Sequence, residues 1–562
     1  MDDRPNLREF LNEVSSFQED EAPAAPTKPA GPAPGAIGTV VEIAGSGSQI
    51  RMDAATVAAL QSHADPSVAM SGQVGSQIKT VVGNSWLIAN VRTLKAGDPG
   101  ELVAYVDFLG EGTRDSAGRM TNFRRGVTRY PIPGAEVLPV TTEDMRSIFA
   151  ASDEPHIEIG TVYPTDDIRG ALYVDPMLGK HFAVLGSTGT GKSTSVSLIL
   201  HRISEASPEG HIVMIDPHGE YSAAFKGCGE LFNVDNLQLP YWLMNFEEHC
   251  EVILTTHGSE RQRDADILAK CLLAARTKGK DMSQYGKVTV DSPIPYLLTD
   301  LNAIIVNEMG KLDRAGDTIP FQRLKTKLEE LRADPRYTFM FSGMMVSDTM
   351  GGFIAKLFRL PSQGRPISIV DVSGVPSEIT SVVVSVLARM VFDYSIWSRT
   401  EAQRPLLLVC EEAHRYVPKD ENAETGQAVR KILERIAKEG RKYGISLGLI
   451  TQRPSDLAEG VLSQLGTIIS MRLNNDRDQA YVRAAMPEGA RGFLDSIPAL
   501  RNRECIICGE GVAIPIRVSF DDLEPSKRPA SEDPLFSSLW RDVGQEDQII
   551  DRTLKRWRSQ GR

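Results

Sequence analysis

Residues 186–193 read Gly-Ser-Thr-Gly-Thr-Gly-Lys-Ser, which fits G-x-x-x-x-G-K-[ST] at every fixed position. The apolar run HFAVLG precedes this segment and the helical run KSTSVSLILHRI follows it. A strand, a glycine-rich turn and a helix in that order constrain the local fold tightly. Backbone N–H groups can curl round an anion only where no Cβ obstructs them, and the following helix points its positive N-terminal end at the same spot. The segment predicts a cradle for the phosphates of ATP, built from Gly186, Ser187, Thr188, Gly189, Thr190, Gly191, Lys192, Ser193 and Thr194. Lys192 is expected to reach the β and γ phosphates and Ser193 to bind Mg2+, with Thr194 next to the α phosphate.

The surroundings extend the pattern. HIVMID, PISIVDV, PLLLVCE and SLGLITQ are short apolar runs, each followed by polar or helical sequence. Such runs are strands of a mostly parallel sheet covered on both faces. The fold class expected is α/β, a mostly parallel P-loop NTPase sheet. Between about 247 and 350, DADILAKCLLAAR and FQRLKTKLEELR space their apolar residues as helices do, which predicts a helical insertion beside the sheet.

The strand Leu406–Cys410 ends in Glu411 and Glu412. Placed beside the P-loop strand, these acids suit the two tasks left open there. Glu411 is expected to serve Mg2+ and Glu412 to activate or orient the attacking water. A second reading of the pair is the solvated acidic start of a helix. Gln452, at the tip of SLGLITQ, is the candidate to hold water or sense the γ phosphate. Arg441 ends a helix whose Val429, Ile432, Leu433 and Ile436 share one face. It reads either as a cation favouring a helix C-terminus or as one that neutralises transition-state charge, in its own subunit or a neighbour's. Asp216, His218 and Glu220 follow another strand expected beside the P-loop. They read as a nucleotide-facing loop or as a turn stabilised by its Asp.

Upstream, residues 1–36 form a Pro/Ala-rich tail with almost nothing to bury, expected to be disordered. From 37 to about 150 the texture is short β-rich runs bounded by turns: IGTVVEI, GSQIKTVV, SWLIANV, ELVAYVDFL and a run ending AEVLPV. They suggest a small all-β barrel that would bind nucleic acid or dock a partner protein. Residues 151–525 then form the ATPase domain, and 526–562 a tail ending in a helix, DQIIDRTLKRWRSQGR.

Composition excludes some classes. The six cysteines are too sparse for a disulfide framework in 562 residues. Cys505-Ile-Ile-Cys508 has no second pair at zinc spacing and reads as buried thiols. No apolar run reaches the roughly 18 residues of a membrane span, and the N-terminus lacks a signal-peptide pattern, so a cytoplasmic protein is expected. The net charge of −12 argues against passive coating of nucleic acid, though not against a basic lining inside a ring.

Taken together, the blocks Lys180-His-Phe-Ala-Val-Leu-Gly-Ser-Thr-Gly-Thr-Gly-Lys192-Ser, Met-Ile-Asp216-Pro-His218-Gly-Glu220-Tyr221, Val-Cys-Glu411-Glu412-Ala-His414, Glu-Gly-Arg441-Lys-Tyr-Gly and Thr-Gln452-Arg-Pro resemble the HerA family of ATPases, relatives of the FtsK DNA pumps. The ending CIICGEGVAIPIRVSF is similar to the family's closing strands, so the likeness covers about 37 to 525. The resemblance implies a homohexameric ring with an N-terminal HerA-type barrel. It also implies translocation of double-stranded DNA through the pore and work alongside a partner nuclease. That partner would be a NurA-type enzyme in end resection, or a defence effector in antiviral relatives. Glu411 is expected in this family, and Gln452 and Arg441 fall on positions used for the γ phosphate. Family members often carry Arg where Lys180 stands, as a finger on a neighbour's nucleotide. Lysine keeps that charge but not the two-pronged geometry.

Two functions of different class follow: a DNA translocase motor, or an ATP-switched scaffold that assembles and regulates a nuclease. Arg415, Lys419 and the cations at 430–442 are candidate pore charges for the motor.

Overall fold

The computed structural model describes residues 35–342, 348–420, 426–486, 491–530, 536–541 and 546–559. The Pro/Ala-rich tail, but for its last two residues, lies outside the described residues.

Alternating burial shapes the N-terminal part. Seven strands, β1 (Gly38–Ile43), β2 (Gly47–Asp53), β3 (Gln77–Val82), β4 (Ser85–Ala96), β5 (Glu101–Arg114), β6 (Met120–Arg125) and β7 (Glu136–Pro139), run in the order β2-β1-β7-β3-β4-β5-β6. Antiparallel pairing of β2 with β5, from Gly47↔Asp107 to Asp53↔Glu101, closes six of them into a barrel and leaves β6 outside the closure. Ile50, Met52, Val91, Ala104, Val106 and Val137 fill its interior. Trp86, Ile88, Leu109 and Met120 instead join the core of the domain below, so the barrel is packed onto it. Two strands go beyond the runs legible in sequence. β2 begins in a Gly/Ser stretch, and β6, MTNFRR, exposes four of its six residues.

The second sheet has eleven strands: β8 (His156–Val162), β9 (Arg169–Tyr173), β10 (Phe182–Leu185), β11 (Ile212–Asp216), β12 (Gly229–Phe232), β13 (Ile367–Asp371), β14 (Leu406–Cys410), β15 (Ile445–Thr451), β16 (Thr467–Ser470), β17 (Glu504–Gly509) and β18 (Ile516–Phe520). Their order is β12-β13-β11-β14-β15-β10-β16-β17-β18-β8-β9. The run from β12 to β16 is parallel, and the rest is antiparallel. Every residue of β10, β11, β14 and β15 is buried, as strands covered on both faces require.

This order corrects two sequence expectations. The strand bearing Glu411 and Glu412 is not beside the P-loop strand, because β15 separates β14 from β10. The strand before Asp216 is farther still, with β14 and β15 between β11 and β10. Parallel strands joined by long crossovers can insert anywhere, and their uniformly apolar sequences carry no label of position.

The helical insertion includes Phe246–Ile253, Gly258–Thr277, Leu298–Met309 and Ala315–Ala333. A buried ion pair anchors it. Glu248 closes a capping box with Asn245, accepts from Ser385 Oγ at 2.9 Å, and pairs with Arg389 Nη2 at 2.9 Å. Ser385 and Arg389 lie on Ser377–Trp397, the one helix among the described residues long and apolar enough to cross a membrane. Here it is a core helix, burying twelve residues including Val383, Leu387 and Phe392. All six cysteines are free, and Cys505 and Cys508 are buried within β17. The C-terminal helix spans Glu546–Ser559.

Candidate functional site

The chain leaves β10 at Gly186, where a Cβ would come within 2.9 Å of Met471 Cβ and 3.0 Å of Thr190 Oγ1. Only glycine fits. The loop ends at Gly191, which caps the helix Lys192–Ala206 in the left-handed region at φ 92° and offers no side-chain acceptor to the first amides. Those amides remain available to an anion. Neighbouring groups hold the loop between these glycines. Thr190 Oγ1 donates to Ser187 O at 2.8 Å, Ser187 N donates to Arg472 O at 3.0 Å, and Asn474 N donates to Ser187 Oγ at 3.1 Å. Ser187 and Thr190 therefore spend their side chains on loop shape. Met471, Arg472 and Asn474, just beyond β16, support the cradle without belonging to any motif visible in sequence.

Facing the loop, β14 delivers its two acids in different ways. Glu411 continues the strand register, its N–H donating to Ile215 O at 3.1 Å. Glu412 turns left-handed, at φ 51°, an unusual conformation for a residue with a Cβ. That turn aims its carboxylate at the P-loop. Lys192 Nζ lies 3.3 Å from Glu412 Oε1 and 4.0 Å from Glu411 Oε1, with all three side chains buried. Burial pushes the Glu411 carboxyl up to about 8, opposed by Lys192 and reinforced by Asp216 and Glu220. Glu411 Oε2 is buried with no hydrogen-bond partner of ordinary geometry among the described residues. Tyr221 is fully buried beside Glu411 and Ser193, and its hydroxyl also makes no bond of ordinary geometry.

A carboxylate oxygen left bare in the interior is costly unless a cation faces it. With Ser193 at the start of the P-loop helix, Glu411 fits a magnesium site whose remaining ligands would be phosphate and water. When bound, Mg2+ would neutralise charge on the phosphates, and Ser193 and Glu411 are the side chains that would hold it.

Gln452 spans the gap that β15 creates. Thr188 Oγ1 donates to Gln452 Oε1 at 2.5 Å, and Gln452 Nε2 donates to Glu412 Oε2 at 3.4 Å. Behind it, His414 Nδ1 stands 3.2 Å from Glu412 Oε2 and 3.0 Å from Thr451 Oγ1. Gly186–Thr194, Glu411, Glu412 and Gln452 thus converge at the C-terminal ends of β10, β14 and β15.

Arg441 does not join them. It lies in the turn Gly440–Tyr443, before the first residue of β15, whereas Gln452 follows the last. Seven extended residues separate the two ends by roughly 20 Å. Within its own chain, Arg441 therefore faces away from the cradle. It lines a cavity of about 1070 Å³ together with Arg404, His211 and Tyr394. Lys180 is at the same end of the sheet, paired with Glu510 at 2.9 Å. Asp216 accepts the backbone N–H groups of His218, Gly219 and Tyr221 at 3.1, 2.9 and 2.9 Å. The turn reading describes it, and the turn brings Tyr221 against Glu411.

Comparison with known proteins gives a consistent family. Residues 157–391 match the model described as the central domain of helicase HerA. The DNA double-strand break repair helicase HerA of Pyrococcus furiosus is 26% identical over 483 residues, covering 78% of this chain and 84% of that protein. The Sulfolobus acidocaldarius protein of the same name is 24% identical over 432 residues, covering 76% and 80%. Among solved structures, VirB4 of Thermoanaerobacter pseudethanolicus aligns with a TM-score of 0.47 at 16% identity, over 66% of this chain and 98% of that one. With its phosphate cradle, its paired acids and its barrel, this chain is a P-loop ATPase similar over most of its length to the HerA helicases.

Proposed function

We propose that this protein is the motor subunit of an ATP-driven translocase of helicase type acting on double-stranded DNA in repair. The carrying observation is the meeting of Lys192 with Glu412 at 3.3 Å while Gln452 bridges Thr188 and Glu412. Such a group grips a triphosphate and sets a base beside its terminal phosphorus. In this reading Lys192 and the loop 186–194 bind ATP, Ser193 and Glu411 hold Mg2+, Glu412 activates water and Gln452 senses the γ phosphate. The names of the relatives, DNA double-strand break repair helicases, supply the DNA substrate and the repair setting.

The finer parts of the reading are a cytoplasmic homohexamer with a partner nuclease, a barrel over 37–150 that binds nucleic acid or docks a partner protein, and a role in end processing or antiviral defence. Arg441 supports the ring. It lies at the end of the sheet remote from its own cradle and has no carboxylate partner among the described residues, so it is suited to a neighbour's γ phosphate. The test is ATP turnover with and without long duplex DNA. Stimulation by duplex supports the motor. A flat response, with tight binding to a nuclease, replaces it with the ATP-switched scaffold.

A further inference from the structure

The segment after β14 and the segment after β15 are zipped into one unit above the sheet. Lys419 N donates to Asp456 O at 2.7 Å, Ala458 N donates to Val417 O at 3.1 Å, and Lys419 Nζ pairs with Glu459 at 2.7 Å. Two cations, Arg415 and Arg453, stand exposed on this unit. Among the described residues Arg453 has one ion-pair partner, Asp456 at 3.9 Å.

Each cation is tied through its own backbone to the catalytic layer. Arg415 N donates to Glu412 O at 2.8 Å, and Arg453 N donates to Thr451 Oγ1 at 3.0 Å. Glu412 and Thr451 are the two residues that His414 Nδ1 joins, at 3.2 and 3.0 Å. One ring nitrogen therefore closes a loop running from Arg415 through Glu412, His414 and Thr451 to Arg453. We propose that His414 is a positioning residue that fixes the Glu412 carboxylate, and that the phosphates of a DNA strand seated on Arg415 and Arg453 raise ATP hydrolysis through it. This rests on the motor reading above.

The chemistry suits the role. A carboxylate only accepts, so the ring proton belongs on Nδ1, where it faces Thr451 Oγ1 at 3.0 Å and the Glu412 carboxylate at 3.2 Å. The charged groups around His414 are Glu412, Arg415, Arg453 and Asp456. Burial and the two arginines push its pKa down, Glu412 and Asp456 push it up, and the net shift is downward, leaving a neutral ring with one N–H to place. A phosphate that neutralises Arg415 or Arg453 shifts the backbone amide of that residue, and hence one of the two anchors of the ring.

The test uses the full-length protein and compares the duplex-stimulated to basal kcat ratio for wild type, His414→Asn, His414→Gln and His414→Ala. The amide nitrogen of asparagine occupies the place of Nδ1, whereas that of glutamine reaches the place of Nε2. His414→Asn is expected to keep at least about half of the stimulation. His414→Gln and His414→Ala are expected to lose it, with kcat down roughly tenfold to a hundredfold and KM for ATP within about twofold. If His414→Ala fails to fold, the nearly isosteric Asn and Gln pair, matched for Tm, carries the comparison. A stimulated wild type with His414→Gln equally stimulated, or with Asn as impaired as Gln, overturns the coupling alone. A wild type that duplex does not stimulate overturns the motor reading and the coupling with it.

Discussion

The ammonium of Lys192 lies 3.3 Å from the carboxylate of Glu412, although the two residues are 220 positions apart and their strands are not neighbours. The contact places the base proposed for water activation against the cation proposed to hold the phosphates.

Lys192→Ala removes both the phosphate contact and the counter-charge for two buried acids. Titration with a fluorescent ATP analogue is expected to give a Kd raised about a hundredfold or more. Wild-type affinity would exclude the cradle as the nucleotide site.

Glu412→Gln keeps the shape of the side chain and its contact with Gln452 but removes the base. It is expected to bind Mg-ATP normally and to lower kcat by about 10² to 10⁴-fold in a steady-state phosphate-release assay. A variant with unchanged turnover would move the base elsewhere.

Arg441→Ala tests the division of labour between subunits. Alone it is expected to be nearly inactive while binding ATP, as is Glu412→Gln. Mixing the two inactive variants is expected to restore part of the turnover, because an intact Glu412 in one subunit then meets an intact Arg441 from its neighbour. A mixture that stays inactive, in subunits shown to exchange, would rule out a role in trans.

His249 makes the fold acid-sensitive. Its Nδ1 donates to Asn245 O at 2.6 Å and its Nε2 accepts from Tyr296 Oη at 2.8 Å, which requires a neutral ring. Burial and the nearby Arg276 hold its pKa down at about 3, against an ordinary value of 6.5. Between those values the unfolded chain binds a proton that the folded chain refuses. Stability from this site is thus complete above about pH 6.5 and is lost as pH falls toward 3, on the order of 3 kcal/mol by about pH 4. Urea unfolding at about pH 4.5 and pH 7 checks this. His249→Asn is expected to narrow the difference between the two midpoints, and an unchanged difference would place the acid sensitivity elsewhere.

Much of the architecture was legible in residues. The glycine-rich loop between an apolar run and a helix, the strand ending in Glu411 and Glu412, and the helical spacing in the insertion all correspond to elements of the structure. β6 was hidden because it lies outside the barrel's closure and exposes most of its length, so it lacks the alternation that marks a half-buried strand. The supports of the cradle, Met471, Arg472 and Asn474, were hidden because they act through backbone groups and van der Waals contact.

What the amino-acid order determined by itself is local: where a backbone can wrap an anion, which strand ends in acids, and which residue types stand ready for the chemistry. Only the tertiary structure decided that β15 runs between β10 and β14, that Gln452 therefore bridges Thr188 to Glu412, and that Arg441 ends up at the opposite end of β15 from its own cradle. The physical reason lies in the parallel sheet. Its strands are buried on both faces, so their sequences are alike, and their order is set by long crossovers and packing among residues hundreds of positions apart.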